Sequence, residues 1–329
     1  MGDICVTSEK AKRINQKLNR ELGIVISEAL KDKEVIEILL NPDGTLWIEK
    51  LGKSMKQVGT VKTSSSEALM RTIATSLNTT IRRDNPILEG ELLIDGSRFE
   101  GLIPPIVSKP TFTIRKRASK VFSLKEYVAS GTMTNEEEQK ISEAVIMRKN
   151  ILVVGSTGSG KTTLTNAIIH EIVKIYPDHR IVIIEDTSEI QCAANNSVIL
   201  KTSDLVDMQR LLKATMRLRP DRILVGEVRG GEALSLLKAW NTGHPGGIAT
   251  VHANSAYGGL IRLEQLVAEI SPSPMQHLIA EAIDYVVFIE KTKTGRRIGE
   301  IIEVSGYGNG SYIFENVSKN HKEMIHEIN

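Results

Sequence analysis

The chain of 329 residues is 41% hydrophobic and 25% charged, a composition typical of a soluble globular protein of two domains. Its formal net charge of +2 argues against a nucleic-acid-binding protein, and its two cysteines argue against a disulfide framework or a cysteine zinc site. No apolar run approaches the roughly 20 residues of a membrane span, and the first residues lack the apolar core of a signal peptide.

The first part of the chain predicts a small α+β domain over residues 1–118. It opens with an amphipathic helical stretch. Two turn signals, NPDG at 41–44 and DG at 95–96, each separate a pair of β-rich runs, as in a hairpin. Between the hairpins, Ser64 followed by Glu67 predicts a capping box at the start of a helix.

The second part predicts an α/β domain over residues 135–329, after a linker at 119–134 that contains a short helical segment. From residue 150 onward, short continuous apolar runs alternate with helical stretches, which indicates a parallel sheet buried on both faces. These runs read ILVV, IVII, RILVG, GIATV and DYVVFIE. A β extension follows them, and the residues from 318 predict a polar tail.

A phosphate-binding loop is the most specific motif of the chain. Residues 155–162 read GSTGSGKT and match G-x-x-x-x-G-K-[ST] in full, between the strand ILVV and the helix KTTLTNAIIH. We expect Lys161 to bridge the β- and γ-phosphates of ATP and Thr162 to place its hydroxyl on Mg²⁺. The predicted nucleotide-binding residues are Gly155, Ser156, Thr157, Gly158, Ser159, Gly160, Lys161, Thr162 and Thr163.

Polar side chains follow three of the apolar runs. IVII is followed by Glu185 and Asp186, RILVG by Glu227, and GIATV ends at His252. Because open α/β sheets bind ligands at the carboxyl ends of their strands, we expect all four beside the phosphate loop. Glu227 is expected to orient the attacking water, directly or through Glu185, and Asp186 to contact Mg²⁺ from its outer shell.

Two histidines lie eight residues apart in the stretch GHPGGIATVHANS. A zinc site is disfavoured because no cysteine or carboxylate lies nearby to complete a tetrahedral set, and no partner for a nucleophile–base pair is evident. His252 ends a core strand at the phosphate edge, where an imidazole can sense the γ-phosphate and relay its loss. That the signal passes to a neighbouring subunit is implied only by the family resemblance described below. For His244, in a glycine loop expected to be flexible, a capping or loop-ordering role stays open.

These motifs together resemble those of the traffic or secretion ATPases. In chain order, the boxes are GSTGSGKTT for Walker A, VIIEDTSEI for the acidic Asp box, LRPDRILVGEVRGGEA for Walker B and TGHPGGIATVHANS for the His box. The N-terminal half also matches at EVIEILLNPDG, LLIDGSRFEGLIPPI and TFTIRK. The resemblance covers roughly residues 30–290, which is far more specific than a lone phosphate loop.

The resemblance implies a RecA-like ATPase domain preceded by a PAS-like α+β domain. It also implies a homohexamer in the cytoplasm, docked on the inner membrane beneath a secretion channel and contacting transported DNA or protein only indirectly. Nucleotide would lie between the two domains, with Arg98 and Arg115 reaching the phosphates; without the resemblance, a surface salt bridge explains each arginine equally well. Arg219 and Arg229 flank the Walker B strand and are lesser candidates, as structural or interface groups.

The residues within the motifs favour one branch of this family. The chain has no CxxC pair, whereas type II secretion and pilus-assembly members usually carry a tetracysteine zinc insert. The His box and the compact length resemble the type IV secretion branch, and within it the TrbB-type conjugal-transfer ATPases. The alternatives are a pilus or type II motor, a nucleic-acid translocase, which the 4% aromatic content disfavours, and an ATP-regulated scaffold, which Glu185 and Glu227 disfavour.

Overall fold

The computed structural model describes residues 2–117, 121–203, 205–293 and 295–318. Within it the chain divides into two units, Met1–Ser119 and Lys120–Asn329. Apart from Ser318, the predicted polar tail lies outside the described residues. Among the helices in the described ranges, none is both long and apolar enough to cross a bilayer.

The first unit is built on a six-stranded antiparallel sheet of order β3-β2-β1-β6-β5-β4. In chain order its elements are α1 (Gly2–Lys31), β1 (Val35–Leu40), β2 (Thr45–Lys50), β3 (Lys56–Thr60), α2 (Thr63–Ser76), β4 (Ile87–Glu91), β5 (Arg98–Leu102) and β6 (Thr111–Arg115). Both predicted hairpins are confirmed, as β1–β2 and β4–β5. Leu22 of α1 and Leu69 of α2 are buried in the same core as Ile38 and Phe99 of the sheet.

The predicted capping box at Ser64 and Glu67 is wrong. Helix α2 begins at Thr63, its N-cap is Lys62, and no side chain caps it. The backbone N–H groups of Ser65 and Ser66 donate to the Lys62 carbonyl at 2.9 and 3.1 Å, so Ser64 already lies inside the first turn. The helix begins one residue before the serine run, so the side chains that favour an N-cap lie inside its first turn.

The second unit is built on an eight-stranded sheet of order β14-β13-β12-β7-β11-β10-β8-β9. Its elements are α3 (Leu124–Ala129), α4 (Asn135–Ile146), β7 (Ile151–Gly155), α5 (Lys161–Ile175), β8 (Ile181–Glu185), β9 (Ser197–Lys201), α6 (Met208–Thr215), β10 (Arg222–Val225), α7 (Glu232–Asn241), β11 (Ile248–His252), α8 (Ala256–Ala268), α9 (Gln276–Ala282), β12 (Tyr285–Lys291), β13 (Arg296–Gly308) and β14 (Ser311–Asn316). The strands from β12 to β9 pair in parallel, and β13 and β14 form the predicted β extension, which pairs antiparallel.

Helices cover both faces of this sheet, which explains why its strands read as continuous apolar runs. Side chains alternate along β7: Leu152 and Val154 join the core under α6–α9, whereas Ile151 and Val153 join the core under α3–α5. Helix α3 lies within the stretch expected to be a linker, and its Leu124 is buried in the second of these cores. The carboxyl ends of the parallel strands therefore meet along one edge of the sheet.

Candidate phosphate site

The loop between β7 and α5 has the backbone that a phosphate cradle requires. Gly158 and Gly160 adopt φ of 72° and 104°, in the left-handed region that favours glycine. Helix α5 begins at Lys161, so its free backbone N–H groups and the positive end of its dipole face this loop. His252 lies opposite Gly155 in the β11–β7 ladder, which brings the end of the His box next to the loop.

Lys161 lies folded into the loop with 8% of its surface exposed. Its Nζ donates to the carbonyl oxygens of Gly155 and Ser156 at 3.0 and 3.1 Å. The same Nζ lies 3.1 Å from Nδ1 of His252. The carbonyl acceptors are neutral. The ammonium group can therefore exchange them for the oxygen of a bound phosphate.

His252 bridges the phosphate-loop lysine and the Walker B glutamate. Because the Lys161 ammonium group is a donor, Nδ1 of His252 accepts, and the imidazole proton lies on Nε2, 2.7 Å from Oε1 of Glu227. Burial and the Lys161 charge lower the pKa of His252, and the Glu227 carboxylate only partly opposes them. The imidazole is therefore neutral at pH 7.

Arg229 holds the other oxygen of Glu227. Its Nη2 donates to Oε2 of Glu227 at 2.6 Å, and this hydrogen bond raises the pKa of Arg229. Its Nη1 lies 3.8 Å from Oδ2 of Asp186. The other oxygen of Asp186 accepts a hydrogen bond from the Thr202 hydroxyl at 2.9 Å. Arg229 thus holds one oxygen of Glu227, the other oxygen lies beside Nε2 of His252, and Asp186 is drawn towards Arg229 and Thr202.

Glu185 is almost completely buried at the end of β8. Its Oε1 accepts the backbone N–H groups of Glu189 and Ile190 at 2.8 and 2.7 Å, which closes the loop after the strand. The closed loop places Oε2 of Glu189 3.1 Å from the Thr162 hydroxyl, the hydroxyl expected on Mg²⁺. Thr162 and Glu189 offer the hard oxygen ligands that Mg²⁺ takes beside phosphates, so the residues present fit this ion.

Two residues at this edge were not identified from the sequence. Glu189 follows Glu185 by four residues in the Asp box, and that proximity is the one signal that could have found it. Arg296, at the start of β13, lies with Nε and Nη2 at 3.4 and 3.3 Å from the Gly158 carbonyl oxygen. No local pattern connects these two positions, which are 138 residues apart.

The remaining candidates belong to other elements of the two units. Arg98 and Arg115 are in the first unit and face each other across the β5–β6 ladder, and Nε of Arg115 lies 3.8 Å from Oε1 of Glu37. Arg219 lies before β10 with a φ of 54°. His244 lies just before β11, at the end of the strand opposite to His252, and its Nδ1 is 3.2 Å from the carbonyl oxygen of Ala239 in α7. His244 thus caps the end of a helix and is not part of the cluster at the phosphate loop.

Comparisons with known proteins agree on one family. The family model described as "Type II/IV secretion system protein" matches residues 23–293. A probable conjugal transfer protein TrbB of Sinorhizobium fredii is 54% identical, covering 92% of this chain and 93% of that protein. The type IV secretion system protein VirB11 of Bartonella quintana is 32% identical over 84% of this chain and 90% of that protein.

Two solved structures share the fold. The pilus retraction motor PilT with bound ADP matches with a TM-score of 0.63 and 19% identity, covering 94% of this chain and 86% of that one. The ATPase DotB of Legionella pneumophila matches with a TM-score of 0.62 and 16% identity, covering 94% and 83%.

Proposed function

Because the chain belongs to the type II/IV secretion system protein family, we propose that it is an ATP-hydrolysing hexameric motor of type IV secretion, which powers conjugative DNA transfer and pilus assembly. Its place would be the cytoplasmic face of the inner membrane, against components of the secretion channel. The single observation that carries the proposal is the row of close contacts beside the phosphate loop, in which Nζ of Lys161 lies 3.1 Å from Nδ1 of His252 and Nε2 of His252 lies 2.7 Å from Oε1 of Glu227.

In this mechanism the polyphosphate of ATP lies in the loop, held by the backbone N–H groups at the start of α5. Lys161 leaves the Gly155 and Ser156 carbonyls and neutralises the β- and γ-phosphate oxygens. Thr162 and Glu189 would hold Mg²⁺, whose chemistry is to neutralise charge that develops on the phosphates. Glu227, with one oxygen held by Arg229 and the other beside His252, orients the attacking water and accepts its proton.

The proposal is tested by measuring phosphate release from ATP with Mg²⁺ and, in the same buffer, particle mass with and without nucleotide. We expect turnover by the wild-type protein and particles of six copies. Release at the rate of a protein-free blank, or a monomer in all nucleotide states, would contradict the motor.

His252→Ala is expected to lower the rate of ATP hydrolysis about tenfold and to change the Kd for ADP by less than about twofold. The substitution removes one of two groups that orient Glu227, whereas Lys161 keeps its two carbonyl acceptors. The matched control is His244→Ala at the other end of β11, which should hydrolyse ATP like the wild type. Equal rates in the two variants would reject the role, and zinc present in the wild type but lost from the His252 variant would indicate a metal site instead.

Arg98→Ala is expected to lower the ATPase rate by at least about tenfold. The reason is that an arginine beside the phosphates stabilises the charge that develops on the transferred phosphoryl group. The exposed Arg82 of the same unit, 3.9 Å from Asp84, provides the matched control variant Arg82→Ala. Thermal unfolding of both variants separates a loss of rate from a loss of folding. An Arg98 variant with the wild-type rate would show that this arginine does not reach the phosphates.

A further inference from the structure

A hairpin lies directly against the phosphate loop. Strand β12 runs parallel to β7, and β13 then returns antiparallel to β12. Lys291 and Arg296 therefore face each other as the pair next to the hairpin turn. The turn is closed by the backbone N–H of Thr292, which donates to the Gly295 carbonyl at 2.8 Å. The order of strands in the sheet therefore brings the first residue of β13 to the loop that follows β7.

Arg296 contacts two of the glycines in that loop. Its guanidinium donates to the Gly158 carbonyl through Nε and Nη2. Its Cδ lies 3.0 Å from where a Cβ at Gly160 would stand, so the side chain packs against the loop. The next residue, Arg297, behaves differently, because its Nε donates to the Glu290 carboxylate at 2.7 Å.

The contact at Gly158 fixes the direction of one peptide group. In a trans peptide the C=O and N–H bonds point in opposite directions, so a carbonyl held on the outside turns the following N–H inward. The N–H of Ser159 does point into the loop, where it donates to the Ser156 carbonyl at 3.2 Å. Arg296 thus favours the loop geometry in which the Ser159 N–H faces the interior of the loop, and it adds positive charge beside the loop.

We propose that Arg296 is a positioning residue for nucleotide binding, which orients the Gly158–Ser159 peptide and raises the affinity of the loop for the phosphates of ADP and ATP. This role rests on the proposed function. We expect it to act on ground-state binding, because the guanidinium contacts the backbone of the loop that would hold the phosphates.

The test compares the wild type with the variants Arg296→Ala, Arg296→Lys and Arg297→Ala. Calorimetric titration with ADP gives the Kd, and phosphate release gives KM and kcat for ATP. For Arg296→Ala we expect the Kd and the KM to rise about tenfold with kcat within about twofold, because uniform binding of substrate and transition state is lost. Arg296→Lys should recover part of the affinity, and Arg297→Ala should match the wild type.

An Arg296→Ala variant that binds ADP like the wild type would overturn the inference. Equal weakening of ADP binding in Arg297→Ala would also overturn it, because the effect would then come from the total positive charge of the hairpin. So would an Arg296→Lys variant that binds ADP no better than Arg296→Ala. A wild-type protein that binds no ADP would refute the proposed function itself. If the wild type binds ADP without hydrolysing ATP, the titration alone still decides the role of Arg296.

Discussion

Glu227→Gln is expected to bind ATP with close to wild-type affinity and to hydrolyse it about 10²–10³-fold more slowly. The amide keeps the size of the carboxylate but loses its charge and its capacity to accept a proton from water. It also weakens the contacts with His252 and Arg229, which are made at 2.7 and 2.6 Å. Equilibrium binding of ATP and single-turnover phosphate release measure the two effects separately.

The control for this variant is Glu281→Gln, which changes an exposed carboxylate on α9 that pairs with Asn241. It should bind and hydrolyse ATP at wild-type levels. Normal turnover by Glu227→Gln would remove this residue from the reaction and would leave Glu185 as the candidate for orienting water.

Arg222→Ala is expected to lower the free energy of unfolding by about 3–5 kcal/mol. Arg222 is fully buried, and its guanidinium donates to the Gly246 carbonyl at 2.8 Å, the Val145 carbonyl at 3.2 Å and Nδ1 of His179 at 3.2 Å. It also lies 4.8 Å from the ring centroid of Tyr176. Burial lowers its pKa to about 10, so it stays charged at neutral pH. Its removal leaves buried acceptors without a donor and opens a cavity.

Chemical denaturation measures this loss of stability, with Arg217→Ala as the control. Arg217 is exposed after α6, and its substitution should change stability by less than about 0.5 kcal/mol. A loss below about 1 kcal/mol in Arg222→Ala would show that water replaces the guanidinium at these acceptors.

Two glycines of the His box, Gly246 and Gly247, pack against the buried side chains of Arg222 and Trp240. A Cβ at Gly246 would lie 2.2 Å from Nη1 of Arg222, and a Cβ at Gly247 would lie 2.1 Å from Nε1 of Trp240. The expectation of a flexible glycine loop was therefore wrong for these two positions, which are glycine because neighbouring side chains fill the space. The stretch GHPGGIATVHANS thus serves both ends of β11, with packing at its start and a contact to Lys161 at its end.

Local patterns were sufficient to predict a parallel α/β sheet with a phosphate loop, and the family resemblance implied that the fold is RecA-like; the likeness to PilT and DotB confirms the fold. The phosphate loop is one continuous motif, and the buried strands of a parallel sheet read as apolar runs, so neither depends on distant contacts. The topology rule for strand ends then placed Glu185, Glu227 and His252 on one edge. The contacts of Arg296 with Gly158 and of Arg222 with Gly246 depend on which strands are neighbours, and no local pattern encodes that order.

The central claim is that the loop from Gly155 to Thr162 holds the phosphates of a nucleotide and that Lys161 supplies the charge that binds them. The most direct test is calorimetric titration of ADP into the wild-type protein and into Lys161→Ala, with thermal unfolding to verify that both are folded. We expect the wild type to bind one ADP per chain and the variant to bind at least about 100-fold more weakly. Equal affinities in the two proteins, or no binding by the folded wild type, would contradict it.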